Sequence, residues 1–439
     1  KKEPGTELLV WDLANKQKTS IQDVADMSWN KPGTMLAYSI SLKDLPKDTT
    51  KDVAKEPSKD QPQEIAKTEN NTTNEKAKSA TQVEGVYIWS SESKSSKAIL
   101  TGAGSYKYLR FDDAGQQFAV LSNRDELAKK AKDPQVYSLF YWRADAPQAK
   151  LLVNAESNGM TKAWAPSEHA DLNFSKDGQR LFLSTAEVAI APAKNAPEAV
   201  KVDLWHWKDP ELQSMQKANA ERDKQRSYRA VVHLADGKFV QLANKLIPQV
   251  MINDNAQFAM GISTLPYRHL MSWDSLHYDA YAVDLQNGQA KMLIEKSRFM
   301  PQFSPAGKYL VQFDADKSVW WSYSTIDGKK TNLTGHIKTR FDDQQRDTPE
   351  PKNAFGLAGW TADDSSVVIY DQFDLWDVNL QSKVARNLTA GFGRKNQLEL
   401  RYVHLGDARQ SPQTKALPAD KPWVLSATHD VNQSTGYYT

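Results

Sequence analysis

The sequence predicts an all-β fold, a β-propeller of four-stranded blades, from two phrases that recur along the chain. The first phrase is a short aromatic or aliphatic strand, a polar turn and a second short strand, and it occurs about seven times. The second phrase is an apolar run, a small polar turn and another apolar run, and it follows most copies of the first. A period of roughly 40–60 residues is typical of solenoids, propellers and arrays, and repeats made only of strands favour the propeller.

The copies of the first phrase predict outer hairpins, and the second phrase predicts inner ones. In VVHLADGKFVQL, alternating apolar residues flank Asp236-Gly237, and FSKDGQRLFLS places two short strands across Asp177-Gly178. Two hairpins make one four-stranded blade, and neighbouring blades supply the core that a single blade lacks. The seven copies are VWDLANKQKTSI at Val10, VYIWSSESKSSKAILTG at Val86, LFYWRADAPQAKLLVNA at Leu139, VVHLADGKFVQLANK at Val231, YAVDLQNGQAKMLIEK at Tyr281, WWSYSTIDGKKTNLTG at Trp320 and DLWDVNLQSKVARNLTAG at Asp374.

The two ends of the chain do not match whole blades. WVLSATHDVNQSTGYYT, from Trp423, predicts the middle hairpin of a further blade without its outer strand, and the first copy begins without inner strands. We therefore expect residues 1–439 to be a propeller domain, or most of one, that is permuted or cut relative to its blades. Seven blades, eight blades and an incomplete ring all remain open.

Two segments interrupt the repeats. Residues 42–84 carry Lys-acid pairs at every fourth position, three prolines and no aromatic residue, and this composition predicts a flexible, disordered loop. Residues 209–226 predict an inserted helix with Asp209 as its N-cap, Pro210 at its first position and Glu211 in its first turn. Its apolar stripe is thin, so we expect a projecting helix that packs on the propeller or contacts another domain or subunit.

Tryptophan is abundant, with 13 residues, and many of them occupy strand positions of the repeat. The favoured interpretation is packing between stacked blades, and the alternative is stacking against a carbohydrate or a peptide. His206, between two tryptophans, is interpreted as a strand residue. The tryptophans in question are Trp11, Trp89, Trp142, Trp205, Trp207, Trp320, Trp321 and Trp376.

Composition and motifs exclude several classes of function. The 56 basic and 54 acidic residues leave a net charge of +2, which argues against a nucleic-acid or anionic membrane partner. No apolar run reaches the 18 residues of a membrane span, and the absence of Cys excludes disulfides and thiolate sites in this chain. G-x-S-x-G, H-E-x-x-H and P-loop motifs are absent, the histidines lack metal-ligand spacing, and GFGRKN at Gly391 is interpreted as a loop. We therefore predict no catalytic residue, cofactor or metal.

One acidic cluster is the candidate substrate-binding site. NRDEL, residues 123–127, follows the strand FAVLS, so we expect Arg124, Asp125 and Glu126 in a loop at one end of a blade. Propellers place ligand contacts on such loops. The alternative is a solvated turn with local salt bridges.

Several phrases together resemble the propeller domain of the prolyl oligopeptidase / dipeptidyl peptidase IV family of serine peptidases, in its bacterial branch. The pairing of a WHWKDP segment with a Gln-rich helix is the most specific of them. TolB-like propellers share the individual blade phrases. The phrases are GTELLVWDL at Gly5, GVYIWS at Gly85, YKYLRFDDAGQQFAVLSNRDE at Tyr106, VDLWHWKDPELQSMQ at Val202, RSYRAVVHL at Arg226 and STGYYT at Ser434.

The resemblance implies a periplasmic or secreted protein in which the propeller caps an α/β-hydrolase domain. That domain carries the catalytic Ser, Asp and His, and the propeller filters peptide substrates. In dipeptidyl peptidases, acidic residues of the propeller also anchor the peptide N-terminus. This chain contains no hydrolase segment, so the triad cannot be transferred to it. The family's paired glutamates have no clear match here, and Asp125-Glu126 is the nearest acidic pair.

Three hypotheses follow. The first is a non-catalytic propeller that gates peptide access to, and docks on, a hydrolase domain absent from this chain. The second is a stand-alone TolB-like propeller that binds a protein or peptide. The third is a propeller enzyme, such as a glycosidase with paired carboxylates. The oligomeric state and the peptide specificity stay open.

Overall fold

The computed structural model describes residues 5–42, 83–128, 136–189, 202–253, 256–405 and 416–439. The predicted flexible insertion 42–84 lies outside these residues, apart from its first residue and its last two. Strands far outnumber helices among the described residues, and consecutive strands pair antiparallel in separate sheets. The predicted all-β fold, a β-propeller of four-stranded blades, is therefore confirmed.

The chain divides into two compact units. The first unit runs to Lys150, except for Asp112–Ala114 and Val136–Leu139, which belong to the second unit. The first two sheets, with strand orders β1-β2-β3-β4-β5 and β6-β7-β8-β9, are built from β1 Thr6–Asp12, β2 Gln17–Trp29, β3 Met35–Ile40, β4 Gly85–Ser90, β5 Ser95–Thr101, β6 Tyr106–Phe111, β7 Gln117–Ser122, β8 Ser138–Arg143 and β9 Lys150–Val153, with helix α1 Arg124–Ala128 after β7.

Five further sheets follow in chain order. In the third sheet β10, β12, β13 and β14 are adjacent and β11 also pairs with β12, whereas the other four sheets are simple meanders. The third and fourth sheets contain β10 Trp164–Pro166, β11 Asn173–Phe174, β12 Arg180–Glu187, β13 Tyr228–His233, β14 Lys238–Gln241, β15 Gln249–Met251, β16 Phe258–Ser263, β17 Tyr278–Asp284 and β18 Ala290–Ser297. Helix α2, Gln213–Lys224, lies between β12 and β13, and a 3₁₀ helix, Leu265–Leu270, lies between β16 and β17.

The last three sheets complete the described chain. The seventh has three strands among the described residues, and its β28–β29 pair is the hairpin predicted from Trp423 onward. The GFGRKN segment, interpreted as a loop, is instead a short helix after the left-handed Gly391. The elements are β19 Gln302–Phe303, β20 Tyr309–Asp314, β21 Val319–Ser324, β22 Lys330–Asn332, β23 Leu357–Trp360, β24 Ser366–Tyr370, β25 Leu375–Asn379, β26 Ala385–Asn387, α3 Phe392–Asn396, β27 Leu398–Tyr402, β28 Leu425–His429 and β29 Thr435–Tyr438.

Inner strands are buried on both faces, and this explains their continuous apolar sequences. Successive side chains of a strand point to opposite faces of its sheet. In β20, Leu310 packs in a cluster with Ile262 of the fourth sheet, whereas Val311 packs in a different cluster with Trp360 of the sixth. In the second unit, the fourth, fifth and sixth sheets therefore each share one core with the sheet before and another with the sheet after, as stacked blades do.

The second recurring phrase is a turn held by one repeated pair of hydrogen bonds. The Ser304 hydroxyl accepts the backbone N–H of Tyr309 at 2.9 Å, and the Ser304 N–H donates to the Tyr309 carbonyl at 3.0 Å. Between them, Gly307 has a φ of +73°, a conformation that glycine adopts readily. The same two bonds join Asn30 to Met35, Ser175 to Arg180 and Thr361 to Ser366.

The loop after β22 contains a buried carboxylate that depends on one arginine. Asp342 is 1% exposed, and Arg340 donates to its two oxygens from Nε at 2.9 Å and Nη2 at 2.6 Å. Burial by itself would raise the pKa of Asp342, but the hydrogen bond and charge of Arg340 outweigh it and hold the pKa below its ordinary value.

Replacing Arg340 by Gln should destabilise the fold by removing the charge that compensates Asp342. We expect the free energy of unfolding at pH 7 to fall by about 3 kcal/mol. A carboxyl with a depressed folded pKa stabilises the fold above its unfolded pKa, about 3.9, and this contribution is lost as the pH falls through the folded pKa. Urea unfolding at pH 7 and pH 3 should show the difference shrinking at the lower pH.

The matched control is Arg143→Gln, because Arg143 pairs with Asp145 at 3.3 Å on the surface, where both side chains are more than half exposed. Such a pair contributes at most about 1 kcal/mol. Equal losses in the two variants, or a loss in the Arg340 variant that does not depend on pH, would contradict the assignment.

Candidate functional site

The predicted acidic cluster forms a short helix rather than a loop. Residues 124–128 are α1, and the N–H groups of Glu126 and Leu127 both donate to the carbonyl of Asn123 at 3.1 Å. Asp125 and Glu126 occupy the first turn, where negatively charged side chains interact favourably with the helix dipole. The buried Asn123 side chain also accepts the Ser105 N–H at 2.8 Å, which fixes the start of the helix.

Arg124 holds α1 against the first two sheets. Its Nη1 donates to the Thr101 carbonyl at 2.6 Å, and its guanidinium lies 5.0 Å from the centre of the Phe140 ring. Its Nε donates to Asp125 at 3.0 Å. The structure therefore brings Arg124 and Asp125 together as a half-exposed ion pair, with Glu126 next to them on the same helical turn.

A second candidate site lies in the second unit, around the WHWKDP segment. Residues 205–215 face residues 268–273 across a cleft of about 370 Å³, which we name the tryptophan cleft. The first wall comprises the segment before α2 and the start of that helix, and the second comprises the end of the 3₁₀ helix and the turn after it. Clefts of this size that combine aromatic rings with a few polar groups are typical of ligand sites.

The tryptophans of this cleft do not pack between blades. Trp205 is 66% and Trp207 is 85% exposed, and both lie outside any strand, as does His206. The prediction of strand positions at these three residues is therefore wrong. Trp11 does lie in a strand but is 57% exposed, whereas Trp89, Trp142 and Trp320 are buried as expected.

The helix after the WHWKDP segment begins later than predicted. Leu212, not Asp209, is the N-cap of α2, and no side chain caps the helix. The reason lies in two competing contacts. The Asp209 N–H donates to the His206 carbonyl at 3.0 Å, and the Glu211 carboxylate accepts from Arg268. Residues 206–209 therefore form a hydrogen-bonded turn, and residues 210–212 lead from it into α2 along one wall of the cleft.

An ion pair joins the two walls of the cleft. Arg268 Nη1 donates to Glu211 Oε1 at 2.7 Å, and the side chains are only 21% and 15% exposed. A pair with this little exposure is screened less by solvent than a surface pair. Lys217 also reaches Asp203 at 3.3 Å, which connects α2 to the segment that carries the tryptophans.

A tyrosine anchors the 3₁₀ helix that carries Arg268 to the fourth sheet. The Tyr267 hydroxyl donates to Asp279 Oδ1 at 2.7 Å, and the same oxygen accepts the Lys296 N–H at 2.9 Å. Burial and this hydrogen bond to Asp279 raise the pKa of Tyr267 well above its ordinary value. Asp274, in the following turn, pairs with Arg298 at 3.0 Å.

Sequence reasoning singled out one wall of the cleft and missed the other. Arg268, His269 and Trp273 line the cleft from LPYRHLMSWDS, a stretch between β16 and β17. A signal was present, because this stretch breaks the strand pattern with a proline and clusters aromatic and basic residues.

The described residues contain no group of three or more His, Asp or Glu side chains that could hold a metal ion. None of the described helices has the length and apolar character needed to cross a membrane.

No protein-family model matches the sequence, and no curated protein matches it. Similar solved structures include TolB from Acinetobacter baumannii, with 11% identity, a TM-score of 0.26 and coverage of 74% of this chain and 59% of that chain. Dipeptidyl peptidase 4 of Porphyromonas gingivalis has 10% identity, a TM-score of 0.37 and coverage of 98% and 56%. The β-propeller domain of the Trilobed protease from Pyrococcus furiosus has 10% identity, a TM-score of 0.29 and coverage of 87% and 89%.

The chain therefore spans 59% and 56% of the length of the first two of these structures.

Tyr267→Phe should loosen the second wall of the cleft, because it removes a donor from the carboxylate of Asp279, which is 3% exposed. We expect the free energy of unfolding to fall by about 1–3 kcal/mol. Amide hydrogen exchange in residues 265–270 should also become faster. The control is Tyr437→Phe, at a residue 73% exposed in β29. Similar values for the two variants would show that the Tyr267 hydroxyl does not support the wall.

Proposed function

We propose that this chain is the non-catalytic propeller of a serine peptidase of the prolyl oligopeptidase / dipeptidyl peptidase IV type. In this role it gates peptide access to an α/β-hydrolase domain outside the chain and docks on that domain. The proposal also places the parent protein in the bacterial periplasm or among secreted proteins. It rests on the resemblance of the sequence phrases together with the propeller fold.

The location of one sequence segment supports the proposal in addition to the fold. VDLWHWKDPELQSMQ is the most specific phrase of the resemblance, and it builds the tryptophan cleft instead of a blade. Its exposed Trp205 and Trp207 are not needed by the cores of the sheets. Exposed aromatic residues beside a shielded ion pair are typical of binding surfaces.

The proposal includes α1 as a second peptide contact. Arg124 fixes the helix and orients Asp125, and Glu126 lies next to them on the same helical turn. The carboxylate of Glu126 at this position suits the positive charge of a peptide N-terminus, and Asp125, which is paired with Arg124, adds a hydrogen-bond acceptor beside it.

The gene gives the first test. Its reading frame should continue into a segment with a G-x-S-x-G motif. The isolated chain should neither hydrolyse Gly-Pro and Ala-Ala chromogenic dipeptides nor react with a fluorophosphonate probe. A frame without a hydrolase segment would overturn the proposal in favour of a stand-alone TolB-like propeller. A labelled Ser within the chain would contradict the non-catalytic assignment.

The role of α1 has its own test. The double variant Asp125→Asn, Glu126→Gln should weaken the binding of peptides with a free N-terminal amine roughly tenfold, because two negative charges are lost at the contact. Binding of the same peptides with an acetylated N-terminus should not change. The control is the double variant Asp236→Asn, Asp327→Asn, whose carboxylates lie in exposed hairpin turns. If the double variant weakened the binding of free and acetylated peptides equally, α1 would not be a contact for the peptide N-terminus.

A further inference from the structure

We propose that the tryptophan cleft binds an extended, uncharged stretch of peptide with apolar side chains. This inference rests on the proposed function in one respect, which is that the bound peptide is a substrate. The binding itself depends only on the residues of the cleft.

The backbone beside the tryptophans has no strand partner. VDLWHW, residues 202–207, has the composition of a strand, yet it belongs to no sheet. Within the described part of the chain, the N–H and C=O groups of Leu204 and Trp205 make no hydrogen bond to another main-chain group. An extended peptide can satisfy such groups by pairing along them, as added strands do in many recognition domains.

Exposed apolar surface is concentrated in this cleft. Trp205, Trp207 and Trp273 line the same cleft, and each is at least 66% exposed. Single exposed aromatic residues are ordinary, but a group of them around a concave site marks a binding surface. Large rings gain contact area with apolar side chains at a small cost in conformational entropy.

The charged groups of the cleft complement a neutral peptide amide. Arg268 and Glu211 neutralise each other, so the ion pair that joins the two walls gives the cleft no net charge, and Asp209 is the other acidic residue of the lining. Among the described residues the pair shares one hydrogen bond, from Nη1 to Oε1, which leaves the carboxylate oxygen Oε2 and further guanidinium N–H groups with bonding capacity. An adjacent acceptor and donor match the N–H and C=O of a peptide amide, and a neutral ligand leaves the two charges of the pair balanced, whereas a charged ligand would compete with one member of the pair for the other.

The cleft suits a peptide better than an oligosaccharide. A sugar ring can also stack on tryptophan, but its hydroxyl groups do not repeat with the spacing of an extended main chain. Oligosaccharide binding is therefore an outcome of the test that would overturn the proposal.

The experiment measures binding of Ac-Ala-Phe-Ala-Leu-Ala-NH2 to the whole chain by calorimetry and tryptophan fluorescence. Trp207→Ala should weaken binding about tenfold or more, since central aromatic anchors dominate such interfaces. The matched control Trp11→Ala changes another exposed tryptophan, in β1, and should leave the affinity unchanged. Equal effects of the two variants, or tighter binding of chitotetraose than of the peptide, would overturn the proposal.

Two charge variants separate ligand contact from a purely structural role. In Glu211→Gln, Arg268 loses its counter-charge, so the peptide with Glu in place of Phe should bind several-fold better than it does to the wild type. In Arg268→Gln, Glu211 loses its counter-charge, so the peptide with Lys in place of Phe should bind several-fold better than it does to the wild type. Circular dichroism of both variants reports whether α2 keeps its fold. Folded variants that bind the acidic, basic and neutral peptides all equally would overturn the proposal.

The two proposals fail separately. If the cleft binds peptide but the gene lacks a hydrolase segment, the cleft proposal stands and the peptidase function is overturned. If the gene continues into a hydrolase segment but the cleft binds no peptide, the peptidase function stands and the cleft proposal is overturned.

Discussion

The structure depends on one constraint, which is that every inner strand has to bury both of its faces. Val367 and Val368 are adjacent in β24, yet they enter different cores, one shared with the fifth sheet and one with the seventh. A sheet of this kind cannot be stable alone, because each face needs a neighbour. All five residues of β24 are buried for this reason, and the strand reads as the apolar run SVVIY instead of alternating with polar residues.

Stacked sheets also have to satisfy the polar groups at their turns. The repeated turn solves this locally, since a Ser, Thr or Asn side chain accepts the N–H of the residue five positions later. Where the loops are longer, buried aspartates take over. Asp374, for example, accepts from the Thr389 hydroxyl at 2.7 Å and the Gly393 N–H at 3.0 Å. Each of these side chains satisfies main-chain or hydroxyl donors that burial would otherwise leave unpaired.

The candidate sites lie on segments that are free of the stacking constraint. α1 and the tryptophan cleft are built from residues between strands, where side chains need not fill a core. Their apolar and charged groups are therefore available to contact a ligand. The supports are nevertheless rigid, because Arg124 is tied to the Thr101 carbonyl and Tyr267 to the buried Asp279. Such a combination of a fixed base and an exposed contact surface is typical of binding loops on β scaffolds.

The sequence by itself determined the fold class, the hairpins around Asp177-Gly178 and Asp236-Gly237, and the presence of a helix after WHWKDP. These features are local, since strand alternation, turn residues and helix formers act within a few positions. Only the tertiary structure decided that Trp205 and Trp207 are exposed while Trp89 is buried, because all three occur in similar apolar runs. It also decided that Arg268 meets Glu211, since the two are 57 positions apart and no local pattern encodes a contact that depends on how the third and fourth sheets pack.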